Sequence, residues 1–172
     1  GGVGALLDPL DCQDAVTFTG SADTALHLRA NANLLANAVR FTAEQDSLNA
    51  SVLGPDAVTG TPEFDLFVKE VGREMTAKAG QKCTAIRRIM VPQAQGEAVI
   101  DTLSARLSKV SIGDPRNKDT KMGALVSNAQ KNDVLDKAAH IGSQADHVFG
   151  NPEDFAMAGS KGAFLPPMLY HC

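Results

Sequence analysis

The chain has 172 residues, enough for one sizeable domain with a real core and few for two. Hydrophobic residues make up 44% and charged residues 21%, a balance that excludes intrinsic disorder and fibrous repeats. The net charge of −4, from 16 basic and 20 acidic residues, leaves no basic footprint and argues against nucleic acid or an anionic membrane as partner. Three cysteines at wide spacing, Cys12, Cys83 and Cys172, fit neither a disulfide framework nor a CxxC metal site, which points to a reducing cytoplasm. His27, His140, His147 and His171 form no HExxH or i,i+4 pair, so no metal is expected. No apolar run approaches the roughly 18 residues of a membrane span, and the opening GGVGALLDPLD lacks the basic and apolar blocks of an export signal.

In chain order, AVTFTGSA runs β-branched and aromatic residues into Gly20 and Ser21, the pattern of a buried strand ending in a turn. Ser21 then suits an N-cap, and Leu26, Leu28, Leu34 and Leu35 supply apolar surface for one helix to about residue 38. A strand over Val39 to Ala43 and a short one over Ser51 to Leu53 follow, before Gly54-Pro55-Asp56 breaks the chain. From Thr61 the helix signals are strong: a capping hydroxyl, Pro62 at the first position, and Glu63 and Asp65 at the positive end of the dipole. Phe64, Phe67, Val68, Val71 and Met75 form one apolar stripe, and Gly80 is placed to stop the helix. A strand over Ala85 to Val91, a helix over about Gln93 to Lys109, turn chemistry at Gly113-Asp114-Pro115 and a helix over about Asn128 to Ile141 complete the regular pattern. A strand near His147 to Phe149 and an extended Ala163 to Tyr170 close it. Strands alternating with helices predict an α/β fold with a largely parallel sheet.

Two residues carry chemistry. Free cysteine is among the most buried residue types, so a lone one is ordinarily structural. Cys83, however, lies in a short link after a helix stop, with Lys82, Arg87 and Arg88 near it in sequence; cations favour the thiolate that acts as a nucleophile. Glu44 ends the strand VRFTA, and the carboxyl ends of parallel strands are where α/β folds place ligands; a solvated loop acid is the competing reading. TGSA, a strand end of small residues opening a helix, suits the approach of a phosphate, or is an ordinary capped turn.

Taken in order, FTGS (18 to 21), Glu44, GQKC (80 to 83) and GDP…MGALVS (113 to 127) resemble the aldehyde dehydrogenases. The similarity covers nearly the whole chain. FTAEQDSLN, TPEFDLFVKEVGREMTAKAGQKCTAIRRIMVP and KMGALV are similar to a subgroup acting on CoA-linked semialdehydes of aerobic aromatic degradation. That subgroup includes the phenylacetate-pathway bifunctional enzyme, towards which the reading leans, and the benzoyl-CoA-pathway semialdehyde dehydrogenase as the alternative. The resemblance implies a Rossmann-like, parallel-sheet catalytic domain (46–172) with the end of a coenzyme domain (1–45) attached. It implies Cys83 as nucleophile and Glu44 as general base, with Phe18, Thr19, Gly20 and Ser21 beside the coenzyme. It also implies NADP or NAD as cofactor, an aldehyde substrate, possibly CoA-linked, and a homo-oligomeric full enzyme. Departures are Glu44-Gln45-Asp46-Ser47 where the family commonly has Glu-Leu-Gly-Gly, and Ala25 where a glycine is usual. The family's other oxyanion donor and most of its coenzyme cleft have no counterpart here, so the chain resembles a fragment expected to be inactive alone. A non-catalytic module of the same fold is the alternative; a CoA-acylating relative is disfavoured because those enzymes generally lack the base.

Overall fold

The computed structural model describes residues 3–155 and 161–172, and the chain divides into two compact units, Gly1–Ser47 and Leu48–Cys172. In the first, β1 (Ala15–Gly20) and β2 (Arg40–Gln45) pair in parallel, with Thr19 opposite Glu44 and Gly20 opposite Gln45. A parallel pair needs a crossover, and α1 (Ala22–Arg29) and α2 (Ala32–Ala36) supply it. Leu7, Leu28, Leu34 and Val39 are buried between these elements, with Val16, Phe18 and Phe41 packed against them.

The sequence pattern reads residues 22 to 38 as one helix, whereas the structure breaks it at Ala30 and Asn31. Asn31 takes an extended conformation (φ −60°, ψ 128°), and its Oδ1 accepts hydrogen bonds from the N–H groups of Asn33 and Leu34 at 2.8 and 3.3 Å. A short amide side chain competes with the helical backbone in this way and starts a new helix.

In the second unit β3 (Asn49–Val52) and β4 (Ile86–Met90) pair in parallel, Ser51 opposite Ile89 and Val52 opposite Met90. Their crossover is α3 (Pro62–Thr76), whose Phe64, Val68 and Val71 are buried, with Phe67 and Met75 packed at the margin. The helix α4 (Gly96–Leu107) adds Val99, Leu103 and Leu107 to the same core. Then come α5 (Asn128–Gly142), capped by Ser127, and an antiparallel pair of β5 (Asp146–Phe149) with β6 (Leu169–His171). The α/β class with parallel strand pairs is the one expected. The final extended stretch contributes a strand only at its last residues.

The end of α3 differs from expectation. Gly80 was placed to stop the helix, but regular structure ends at Thr76, whose Oγ1 donates back to the carbonyl of Gly72 at 2.8 Å. Such back-bonding weakens the helical ladder. Lys78, Ala79 and Gly80 then take left-handed φ values of 53°, 54° and 72°, turning the chain towards β4. Only the last of the three is a glycine, so the turn holds two residues in a conformation that L side chains resist.

Candidate active site

Cys83 lies in the link between that left-handed turn and β4, and it is exposed. Exposure alone does not distinguish it, because Cys12 and Cys172 are exposed as well. What distinguishes Cys83 is how its backbone is held. Arg87 Nη2 donates to the carbonyl of Gly80 at 2.8 Å. Gln81 Nε2 donates to the carbonyls of Lys78 at 3.0 Å and Ala124 at 3.4 Å, while its Oε1 accepts from the N–H of Val126 at 2.9 Å. Asn49, at the start of β3, donates from Nδ2 to the carbonyls of Cys83 at 2.5 Å and Ala85 at 3.3 Å. Lys82 Nζ lies 2.8 Å from both oxygens of Glu74, with its hydrogen bond directed to Oε1.

This network corrects one expectation. Lys82, Arg87 and Arg88 neighbour the thiol in sequence, but each has another acceptor: Glu74, the Gly80 carbonyl and, at 2.6 Å, the Leu48 carbonyl. The cations hold the loop. The N–H of Cys83 makes no hydrogen bond among the described residues, whereas those of Lys82 and Ala85 bond to the carbonyls of Gly80 and Lys82 at 3.0 and 3.1 Å. An exposed thiol and an unengaged N–H on one residue are what nucleophilic attack and oxyanion stabilisation require together.

Glu44 belongs to the other unit. The structure extends β2 through Gln45, so Glu44 lies inside the strand near its carboxyl end rather than just past it. Its carboxylate is exposed and has no hydrogen-bonded or ionic partner among the described residues. Asp46 follows with φ 45°; its N–H donates to the carbonyl of Gly20 at 3.2 Å and its Oδ1 accepts from the N–H of Ala22 at 3.2 Å. One residue thus ties the end of β2 to the turn leading into α1.

Of the expected coenzyme residues, Phe18 is half-buried and packs against its unit's core, while Thr19, Gly20 and Ser21 are exposed. A methyl group on Gly20 would come within 2.5 Å of the Phe18 ring, so the pair leaves bare backbone at the strand end. Exposed backbone and a hydroxyl are thus what this strand end presents. The start of α1 is a poorer anion seat than expected, because Asp46 takes the N–H of Ala22 and Ser21 Oγ takes that of Thr24 at 3.3 Å. Among the described residues no group of three His, Cys, Asp or Glu converges as metal ligands would, and no helix is long and apolar enough to cross a membrane.

Asn49 and Glu74 were not singled out in the sequence, and Gln81 and Asp46 stand out there only as part of GQKC and as a departure from the family pattern. Two signals were present: an amide opening a strand, where Asn is disfavoured, and an acid three residues after the buried Val71 on the inner face of α3.

The chain is thus α/β, and Cys83 lies on a loop braced from several sides. Residues 4–171 match the model of the aldehyde dehydrogenase family, and the chain belongs to that family. It is 45% identical, over its whole length, to 3,4-dehydroadipyl-CoA semialdehyde dehydrogenase of Aromatoleum evansii, of which it covers 34%. Among solved structures, betaine aldehyde dehydrogenase of Staphylococcus aureus in complex with NAD+ superposes with a TM-score of 0.79 at 25% identity, covering 91% of this chain and 30% of that one. An aldehyde dehydrogenase of Bartonella henselae shares the fold, with a TM-score of 0.77 at 23% identity over 91% of this chain and 31% of its own. The chain therefore spans about a third of the length of the relatives it matches.

Proposed function

We propose that this chain supplies the nucleophile and the general base of an NAD(P)-dependent aldehyde dehydrogenase acting on a CoA-linked semialdehyde. The observation that carries the reading is the state of Cys83, with thiol and N–H both available on a loop whose neighbouring carbonyls are pinned. The name of the relative at 45% identity supports the substrate class.

In this mechanism the thiolate of Cys83 attacks the aldehyde carbon, and the N–H of Cys83 donates to the oxygen as it gains charge. The carbon–sulfur bond forms and the carbonyl π pair moves to oxygen, giving a thiohemiacetal. Phe18, Thr19, Gly20 and Ser21 would flank a nicotinamide coenzyme, NADP in our reading, which would supply the hydride acceptor. Loss of hydride re-forms the C=O and leaves a thioester on Cys83. Glu44 takes a proton from water, the hydroxide adds to the thioester, and the carboxylic acid leaves as the thiolate returns.

The test is expression of the full gene and assay of CoA-linked semialdehydes with NADP and with NAD. Cys83→Ala is expected to abolish oxidation, and retained oxidation means the nucleophile is elsewhere. Glu44→Gln is expected to keep a first turnover of reduced coenzyme while acid release slows by about 100-fold or more, the usual worth of a general base. Acid release at the parent rate would remove Glu44 from the mechanism.

A further inference from the structure

We propose that Asn49 is a positioning residue for the nucleophile: its side-chain amide sets the peptide that follows Cys83 and so aims the Cys83 N–H and thiol. This rests on the assignment of Cys83 above.

The ladder between β3 and β4 starts with Asn49 opposite Ile86 and is irregular between Asn49 and Ala50. Beyond that point the cysteine loop pairs with no strand among the described residues, and the Asn49 amide bonds to it instead. Its Nδ2 reaches the carbonyls of Cys83 and Ala85, while the N–H of Ala85 bonds to the carbonyl of Lys82 at 3.1 Å, so the amide clamps a turn whose central residues are Cys83 and Thr84. A side chain thus holds both carbonyls on the outgoing side of the turn that leads into β4. Pinning the Cys83 carbonyl fixes ψ of that residue, and with the Gly80 carbonyl held by Arg87 the rotation left to the cysteine backbone is small. The N–H that would face the oxyanion is left unengaged while the carbonyl that would compete for direction is bound.

Two variants of the full-length enzyme test this. Asn49→Asp keeps the shape and removes both donors; Asn49→Ala removes the side chain. Alkylation of Cys83 by iodoacetamide needs the thiolate but no oxyanion donor, whereas formation of reduced coenzyme in the first turnover needs both. The expected result is a first-turnover rate lowered about 100-fold, the scale of an ångström-sized misplacement, with coenzyme KM and alkylation rate at the parent values. A first-turnover rate equal to the parent's overturns the proposal, and so does a parallel fall in alkylation and turnover, which marks a general loss of structure. Failure of both variants to fold also overturns it, because the amide then serves the fold and not the sulfur. If Cys83→Ala retains oxidation, the nucleophile assignment fails first and this inference falls with it; if Cys83→Ala is inactive and both Asn49 variants match the parent, only the inference falls.

Discussion

At the scale of single residues, contact partners outside the local sequence decide what a side chain does. Asp114, in the turn that the sequence marks with Gly113 and Pro115, is paired with Arg116: Nε donates to both carboxylate oxygens at 3.0 and 2.9 Å, Nη2 donates to Oδ2, and the backbone N–H donates to Oδ1 at 2.9 Å. The Arg116 side chain is the larger cause, its N–H the next, and together they hold the carboxyl at about 2 instead of the ordinary 3.8. A depressed carboxyl contributes stability that is complete above the ordinary value and is lost as pH falls through about 2; here the contribution is small because water surrounds the pair. Carbonyl-detected NMR is therefore expected to give a midpoint near 2 for Asp114, and Arg116→Ala is expected to return it towards 3.8. A midpoint that ignores the arginine would mean the pair is not formed. Such i,i+2 pairs are legible in a sequence; the contact of Asn49 with Cys83, across 34 positions, is not. Cys83 itself was legible because a helix stop and an apolar strand bracket it, but the partners of Lys82, Arg87 and Arg88 depend on where α3 ends and where β3 begins.

Among the elements, the capped helices α1, α3 and α5 were read more accurately at their starts than at their ends, for a physical reason. The first turn of α3 is set by local chemistry: Thr61 Oγ1 accepts from the N–H of Phe64 at 3.3 Å, its hydroxyl donates to the carbonyl of Val58 at 2.8 Å, and Pro62 occupies the first position. Ser127 starts α5 in the same manner, accepting from the N–H of Gln130 at 3.1 Å. These caps act within three residues, so residue types alone reveal them. The end of α3 is governed instead by Thr76 back-bonding and by Arg87, from β4, on the Gly80 carbonyl; the latter partner is known only once the strand is placed. Thr61→Ala is expected to cost about 1 kcal/mol, within the range for loss of a capping hydroxyl. Because the cost is local, it should appear as roughly fivefold faster hydrogen exchange at the Phe64 amide where exchange proceeds by fraying of this turn. Unchanged exchange at Phe64 would show that Pro62 and the core contact of Phe64 hold the first turn without the cap.

At the scale of the whole molecule, the family was legible because four short motifs occur in the right order, although each is weak alone. Each unit has its own buried cluster, yet the sheets are pairs, and large apolar side chains remain open on them: Val52 and Met90, partners across β3 and β4, are 69% and 49% exposed. In the first unit Leu26 and Leu35, on its two crossover helices, are 62% and 69% exposed. Two-stranded sheets are marginal in water, and open apolar edges recruit further strands. The relatives carry about three times this length of chain, so in them such edges can be covered by segments that this chain does not contain. The mechanism proposed for Cys83 and Glu44 also asks for a second oxyanion donor beside the N–H of Cys83, and for a coenzyme cleft. Loss of one oxyanion donor lowers turnover about 100- to 1,000-fold, and loss of the coenzyme cleft removes the hydride acceptor's seat altogether. The purified 172-residue chain is thus expected to give no measurable NADP- or NAD-linked oxidation of a semialdehyde and to self-associate on size-exclusion chromatography, while the full gene product oxidises the same substrate. Robust turnover by the 172-residue chain as a monomer would mean that this length of chain suffices for the reaction.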